Sequence, residues 1–369
     1  MTVSQLQMHL ATQPALLRLA GAGLGLTMVA TLAAMLIPTL PRGVPILLYL
    51  CTLPLLAPHL RRQHAVFLTV CALLAGALSL RGQWPELARA LWQSAGLASL
   101  IVSLLLLRVS ASQSPALVRL ARDVAAMPRG RRDLGLSLAA QFIGLLLNVG
   151  LFGLLAPMIA ASGAPALERR RMALAVLRGF GPTMLWAPTA AAQVVITTVV
   201  PGVTWSGLVP MTFSMAMALI LLGWLFSLLE RRLVPGTPPR ARDTVLDRAA
   251  LAEVVTLVAV MVAVIVGLHA LLGFPLLVGV MIASLLIFVL WTAMQARSAR
   301  APVASAVLGG IRQCLDSRFA AGAPEIMILG AAGFMAAAIP PLVPEVWLDA
   351  VMLPLLMVWT PPHGIAVPR

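Results

Sequence analysis

Runs of about twenty apolar residues, separated by short segments that contain arginine, recur along most of the chain. A helix needs about 20 mostly apolar residues to cross the hydrocarbon core of a bilayer. Of the 369 residues, 60% are hydrophobic and only 10% are charged, whereas a soluble domain carries about 25% charged residues. This composition excludes a soluble enzyme, a disordered chain and a fibrous protein. We therefore predict an all-α, polytopic integral membrane protein, a helical bundle with roughly 9–11 membrane segments.

The net charge of +14 comes from 26 basic residues, all of them arginine. Nucleic-acid-binding domains are also strongly basic. Here, however, the arginines cluster between apolar runs, which is typical of the cytoplasmic side of a membrane. We therefore expect no nucleic acid as a partner, and we expect localisation in a bacterial cytoplasmic (inner) membrane. The expected partners are membrane lipid and a small-molecule or ion substrate, and a homodimer is compatible with the sequence.

Sequence motifs for nucleotides, metals and disulfides do not occur. Cys51, Cys71 and Cys314 are scattered, and there is no CxxC pair, HExxH helix, Walker loop or GxGxxG turn. We therefore expect no metal and no cofactor, apart from a coupling ion such as Na⁺ or H⁺. We also expect that the chain is not an enzyme and does not draw energy from its own ATP site.

The arginine clusters divide the chain into two halves. Residues 1–229 are predicted to form an N-terminal membrane half and residues 249–369 a C-terminal one. A polar, proline-containing segment, 230–248, is the predicted cytoplasmic linker. The tail 360–369 has no helical pattern, which leaves open that the C-terminal half is incomplete.

Residues 110–133 form a basic stretch with an apolar stripe. The stripe has helical spacing, which predicts an amphipathic helix lying at the cytoplasmic interface. Its members are Leu117, Leu120, Val124 and Met127.

The apolar stretch 134–160 poses a topological choice. If the basic segments on both sides of it are cytoplasmic, it must cross the membrane an even number of times. Its length then fits a re-entrant hairpin with its tip near Asn148-Val149-Gly150, which would imply a buried cavity. The alternative is one long, tilted helix.

The span 172–200 contains a cluster of helix breakers. Gly179, Gly181, Pro182 and Pro188 free or remove backbone hydrogen-bonding groups, so we predict an unwound break around 178–189 of the kind that transporters use near the membrane midplane. The alternative is a proline kink that only shapes packing. The candidate substrate-binding residues lie at this break and at the hairpin tip: Asn148, Gly150, Gly181, Thr183, Trp186, Thr189 and Gln193.

Two further expectations concern single polar residues. Asn148 lies among leucines and needs hydrogen-bond partners, so we expect it to approach Thr183 across a shared cavity. Glu325 follows Pro324 at the start of an apolar run. It is a candidate ion-coupling residue, the alternative being a carboxylate that favours a helix N-terminus at the membrane edge.

The order of elements over residues 91–200 is a span, a basic interfacial helix, a hairpin with Asn148 near its tip, and a span broken by glycine and proline. This order resembles one half of a transporter of the ion-transporter superfamily, which includes dicarboxylate/sodium symporters, arsenite permeases and C4-dicarboxylate carriers. The resemblance implies two inverted halves, each with a hairpin and a broken helix. It places Asn148 and Gly150 at a hairpin tip, and Thr183 and Thr189 on a broken helix.

Three functions fit the sequence to different degrees. The favoured one is a secondary permease that moves a small solute, in the first place an anion or organic acid, by alternating access. A membrane-embedded, lipid-linked transferase is the alternative, but the 12 acidic residues form no convergent set beside the spans. A non-transporting scaffold subunit is the third, although a scaffold needs no broken helices.

Overall fold

A computed structural model describes residues 14–60, 62–200, 202–234 and 247–343. Regular structure in these ranges is entirely helical, which confirms the predicted all-α polytopic bundle. Most of the predicted linker 230–248, and residues 344–369 of the predicted C-terminal half, lie outside the described residues. In chain order the helices are α1 (Pro14–Leu36), α2 (Gly43–Leu56), α3 (Arg62–Leu80), α4 (Trp84–Ser112), α5 (Pro115–Ala126), α6 (Arg129–Leu147), α7 (Gly150–Ala160), α8 (Ala166–Trp186), α9 (Ala191–Val199), α10 (Trp205–Leu233), α11 (Arg248–Leu272), α12 (Leu276–Ser298), α13 (Val303–Gln313) and α14 (Ala323–Ala338).

Seven helices in the described ranges are long and apolar enough to cross a membrane: α1, α3, α4, α10, α11, α12 and α14. Apolar residues are exposed on the outer faces of several of them, for example Leu73 on α3 and Phe226 on α10. This outward apolar surface is what a lipid environment requires. The length and the apolar composition of these helices thus indicate an integral membrane protein.

Helix α4 lies at the centre of the bundle, and its residues 94–107 are buried almost without interruption. It packs against α14 and α12. Glycine allows α14 to come close, because a Cβ on Gly333 would lie 2.7 Å from a side-chain carbon of Leu97. Ser110 on α4 meets Thr292 on α12 with 2.5 Å between their hydroxyl oxygens. The core is therefore built from both halves of the sequence around one helix.

One end of the bundle collects most of the arginines, and we call it the arginine end. It holds the start of α1, where Arg18 pairs with Asp316 at 2.9 Å. It also holds the end of α4 and the end of α12, joined by a bond of 3.0 Å from Gln295 Nε2 to the carbonyl of Ser110. Helices α5 and α13 lie there as well. The turn between α11 and α12 lies at the opposite end, where Gly273 closes α11 in the left-handed conformation at φ 67°. The sequence predicts that turn at Leu272-Gly273-Phe274.

Helix α5 begins at Ser114, whose side chain accepts a hydrogen bond from the backbone N–H of Leu117. The predicted apolar stripe is present, but it faces protein. Leu117, Leu120 and Val124 are buried, and the helix packs on α6, α7 and α11. The stripe therefore closes the arginine end of the bundle.

The chain reverses direction within 134–160. Helices α6 and α8 run parallel, because Arg132 pairs with Glu168 near their starts and Thr183 bonds Gln141 further along both. Helix α7 and residues 161–165 must therefore return the chain to the end from which α6 began. The reversal is at Asn148, whose φ of 50° lies in the left-handed region that non-glycine residues rarely adopt. The segment is two helices that meet at residues 148–149, and not one long helix.

The predicted break within 178–189 is present, but only at its end around Pro188, and Gly179, Gly181 and Pro182 are not unwound. Helix α8 continues through these residues to Trp186, and the chain is non-helical only at residues 187–190, around Pro188. Gly179 serves close packing instead, since a Cβ there would lie 2.1 Å from the carbonyl oxygen of Ser137 on α6. The break thus begins six to eight residues after the two glycines.

Candidate functional site

The two helix interruptions meet inside the bundle, because α6 and α8 run parallel and end at the same depth. The hydroxyl of Thr189, in the break after α8, donates to the backbone carbonyl of Leu145 in the last turn of α6 at 2.8 Å. Both residues are buried. Helices α7 and α9 begin at the two interruptions, and helix N-termini carry partial positive charge. We call this meeting point the junction.

Two polar side chains of α6 and α8 bond each other beside the junction. Thr183 donates to the side-chain oxygen of Gln141 at 2.8 Å, and both residues are fully buried. Thr183 thus bonds Gln141 and not Asn148, the partner that the sequence suggests. Asn148 lies at the reversal, and 9% of its surface is exposed. The side-chain nitrogen of Gln141 is buried and has no partner among the described residues. A buried amide without a partner calls for an explanation, such as a bound water, ion or solute.

Trp186 and Gln193 lie on the two sides of the break after α8. The Trp186 ring packs edge-on against Phe213 with 4.9 Å between centroids, and its carbonyl accepts a bond of 2.7 Å from the indole of Trp205. Gln193 donates to the carbonyl of Leu185. In the described part of the chain, the indole nitrogen of Trp186 and the amide oxygen of Gln193 are buried without partners.

The two predicted glycines have different surroundings. Gly181 lies on an exposed face of α8, with nothing within 4 Å of the position its Cβ would take. Gly150 starts α7 and lies against Arg108, whose Cδ is 3.2 Å from that position. The structure therefore brings Thr183, Trp186, Thr189 and Gln193 to one region, leaves Gly181 on the outside, and places Gly150 at a neighbouring cavity.

This cavity, of about 420 Å³, opens beside the reversal at the arginine end. Leu147 and Gly150 line it on one side, and Glu325 in the first turn of α14 lines it on the other. Arg108 from α4 holds Glu325 by two bonds of 3.0 and 2.7 Å, and Arg318 completes the charged lining. We call it the arginine-end cavity.

Sequence reasoning found Glu325 but missed its partner. Arg108 and Glu325 are 217 residues apart, and Arg108 has the pattern of an arginine that merely ends an apolar span. A weak sequence signal for this pair is that Glu325 is a lone carboxylate at the start of an apolar helix, α14, and therefore needs a basic partner. The structure pairs both groups at the start of α14, where the helix N-terminus also favours the carboxylate.

A second cavity, of about 370 Å³, lies at the opposite end of the bundle. It is lined by the end of α9, the start of α10 and the turn between α11 and α12. Thr197, Thr198 and His269 supply polar groups to its wall. Helix α9, which begins at the junction, therefore ends at this opposite-end cavity.

A buried ionic cluster joins the arginine-end termini of α6, α8 and α10. Glu168 accepts bonds from three arginines at 2.6 to 3.2 Å. Burial would raise the pKa of Glu168, but the charge of Arg231 and the hydrogen bonds of the arginines outweigh it and lower that pKa to about 2. The cluster consists of Arg132, Asp133, Glu168, Arg171, Glu230 and Arg231.

No group of three or more His, Cys, Asp or Glu side chains in the described ranges could hold a metal ion. The fold defines a class, a polytopic α-helical membrane protein with two interrupted helices that meet inside the bundle. No family model, curated protein or solved structure matches the chain.

Proposed function

We propose that the protein is a secondary permease that moves a small solute by alternating access around the junction. The observation that carries this proposal is the meeting of two interrupted helices, fixed by the bond from Thr189 to Leu145. Irregular backbone at membrane depth is tolerated only where protein buries it or where it lines a cavity. Transporters use such breaks to present free backbone groups and helix ends to a solute.

The two cavities supply the access that a transporter needs. The arginine-end cavity reaches the reversal through Leu147 and Gly150, and the opposite-end cavity lies at the far end of α9. The junction lies between them, where Gln141 and Gln193 carry amide atoms without partners among the described residues. A solute that passes from one cavity to the other would meet these atoms.

The charge of the arginine-end cavity supports an anionic solute. Arg108 and Arg318 contribute two positive charges and Glu325 one negative charge. A lining with net positive charge concentrates anions from solution. A small anion or organic acid is therefore the substrate class that we propose. Glu325 is the residue that we propose for coupling to H⁺ or Na⁺, because it is the carboxylate in that lining.

Membership of the ion-transporter superfamily is part of the proposal and is supported by the hairpin-like reversal and the broken helix of the N-terminal half. One feature differs from that pattern. Helices α5 and α13 lie at the same end of the bundle, whereas two inverted halves would place their interfacial helices at opposite ends. Location in a bacterial cytoplasmic membrane is likewise proposed, from the arginines at one end.

The experiment is a thermal-shift screen of the purified protein with anions and organic acids, with and without Na⁺, because a ligand that prefers the folded state raises its stability. Each hit is then tested for uptake into proteoliposomes.

Gln141→Leu removes an amide and keeps the side chain buried, so we expect a folded protein with at least about tenfold lower uptake, equivalent to about 1.4 kcal/mol. Gln113→Leu, an exposed glutamine at the arginine end, is the matched control. Full uptake by Gln141→Leu, or no hit in the screen, would argue against the junction as a transport site.

A further inference from the structure

A long apolar groove runs between α5, α6 and α11. Its volume is about 460 Å³. Leu120 and Val124 line it from α5, Leu138 and Phe142 from α6, and Leu251 and Val255 from α11. Its walls carry no charged side chain. Leu251 and Val255 are 40% and 55% exposed, so the groove opens to the surroundings of the bundle.

The depth of the groove matches one leaflet of a bilayer. From Leu251 to Ala259 the axis of α11 rises about 12 Å, against about 15 Å for half of a hydrocarbon core. Helix α11 is apolar and long enough to cross the membrane. Its lining offers water almost no hydrogen-bond partner, so in a membrane its natural occupant is an acyl chain.

Two arginines mark the mouth of the groove at the arginine end. Arg131 precedes the lining residue Gly135 by four positions on α6, and Arg248 precedes Leu251 by three on α11. Residues three or four apart share one face of a helix. Both arginines are exposed, and neither is paired with an acidic group in the described part of the chain.

The acidic groups near the mouth are already engaged. Asp247 caps the start of α11 and pairs with Arg119 at 2.9 Å, and Asp123 accepts the backbone N–H of Asp247 at 3.0 Å. These contacts fix the start of α11 against α5. Among the described residues, Arg131 and Arg248 have no acidic partner and lie about one turn from the apolar lining.

We infer that this groove is a binding site for an anionic glycerophospholipid, with one acyl chain between α5, α6 and α11 and the phosphate between Arg131 and Arg248. The arginines confer the preference for an anionic headgroup, and the apolar walls hold the chain. Basic pockets between membrane helices on the cytoplasmic side bind anionic lipids in this way. None of the polar residues of the junction lines the groove, so the inference does not depend on the proposed transport function.

The test measures lipid binding to the purified full chain in detergent by native mass spectrometry, with dioleoyl-phosphatidylglycerol and dioleoyl-phosphatidylcholine as probes. We expect the anionic lipid to bind more tightly. In the double variant Arg131→Gln/Arg248→Gln its affinity should fall about 30-fold, toward that of the zwitterionic lipid. The matched control, Arg297→Gln/Arg312→Gln, removes two exposed arginines at the same end but away from the groove, and should keep the preference.

A second pair of variants tests the groove itself. Ala139→Phe fills it from α6, and Ala259→Phe fills it from the exposed rim of α11, so that one remains informative if the other fails to fold. Either folded variant should lose the anionic lipid while both arginines remain. Retention of that lipid by the double arginine variant, or by a folded groove-filling variant, would overturn the inference. The inference would also be overturned if inorganic phosphate alone bound as tightly as the anionic lipid, because the acyl chain would then contribute nothing.

Discussion

At the scale of single residues, Gly179 and Gly181 lie two positions apart on α8 and meet different surroundings. A Cβ on Gly179 would lie 2.1 Å from the carbonyl oxygen of Ser137, whereas nothing lies within 4 Å of the same position on Gly181. Gly179→Ala should therefore force α6 and α8 apart and destabilise the protein by about 1–3 kcal/mol. Thermal unfolding of the purified protein in detergent measures this.

Gly181→Ala is the matched control. Alanine forms helices better than glycine, and its methyl group would contact no other atom here. The free energy of unfolding should therefore stay unchanged or rise by up to about 1 kcal/mol. If Gly179→Ala unfolds at the wild-type temperature, the close packing of α6 on α8 is not as described.

Thr189 is the residue that ties the two interruptions together. Thr189→Val removes the hydroxyl and leaves the Leu145 carbonyl, one of the last four of its helix, without that partner. We expect a loss of about 0.5–1.5 kcal/mol in stability and a larger fall in proteoliposome uptake. In the control Thr212→Val, the lost bond lies within α10, and uptake should stay within about twofold, or about 0.4 kcal/mol. Equal uptake by both variants would speak against the junction.

At the scale of elements, the ionic cluster joins three helices at their arginine ends. Glu168 has a pKa of about 2 in the folded protein, below its ordinary value of 4.5. Because the folded state holds the charged form more tightly, Glu168 contributes stability above pH 4.5 and loses it as pH falls toward 2. Thermal unfolding across this interval should show the melting temperature falling with pH.

Glu168→Gln tests the cluster at neutral pH. It leaves the buried Arg132 and Arg171 and the partly buried Arg231 with one acidic partner fewer, so we expect a loss of about 3–5 kcal/mol and a weaker acid transition. Glu86→Gln is the control, since its partner Arg89 is 68% exposed and such pairs contribute about 0–1 kcal/mol. Equal losses from the two variants would contradict a special role for the cluster.

At the scale of the whole molecule, the sequence predicts features that neighbouring residues determine better than contacts between residues far apart in the chain. The apolar runs and the turn at Gly273 are set by nearby residues, and the structure has them where the sequence places them. The reversal at Asn148 was one of two alternatives that the sequence left open. The continuity of α8 was not predictable, because glycine marks both an unwound helix and a close helix contact. The sequence alone offers no means of telling these apart.

The candidate site was predictable only in part for the same reason. Thr183, Thr189 and Gln193 were chosen for their polar atoms inside an apolar run, and the structure gathers them near the break. The partners of Thr183 and Thr189 come from α6, and the Arg108 partner of Glu325 comes from α4, through contacts between residues far apart in the chain. Such pairings follow from packing and leave no periodic pattern in the sequence.

The arginines are distributed unequally between the two ends of the bundle, and this asymmetry predicts the orientation of the protein in the membrane. The described parts of the arginine-rich segments 108–133, 230–248 and 296–318 lie at the arginine end, and α8 begins there with Arg169, Arg170 and Arg171. Loops with excess arginine remain in the cytoplasm, so the arginine end should face inward. The return of α7 to that end then places Ser162, in the turn before α8, inside the cell.

Cysteine labelling of intact cells measures this orientation, in a background that lacks Cys51, Cys71 and Cys314. Ser206→Cys, exposed at the start of α10, should react with a membrane-impermeant maleimide added outside. Ser162→Cys should react only after permeabilisation, because an even number of crossings separates it from the basic segment before α6. Ser298→Cys, exposed at the end of α12, is the inward control. Labelling of Ser162→Cys from outside, with Ser298→Cys protected, would mean that α6 and α7 cross the membrane once and that the reversal at Asn148 does not occur in the bilayer.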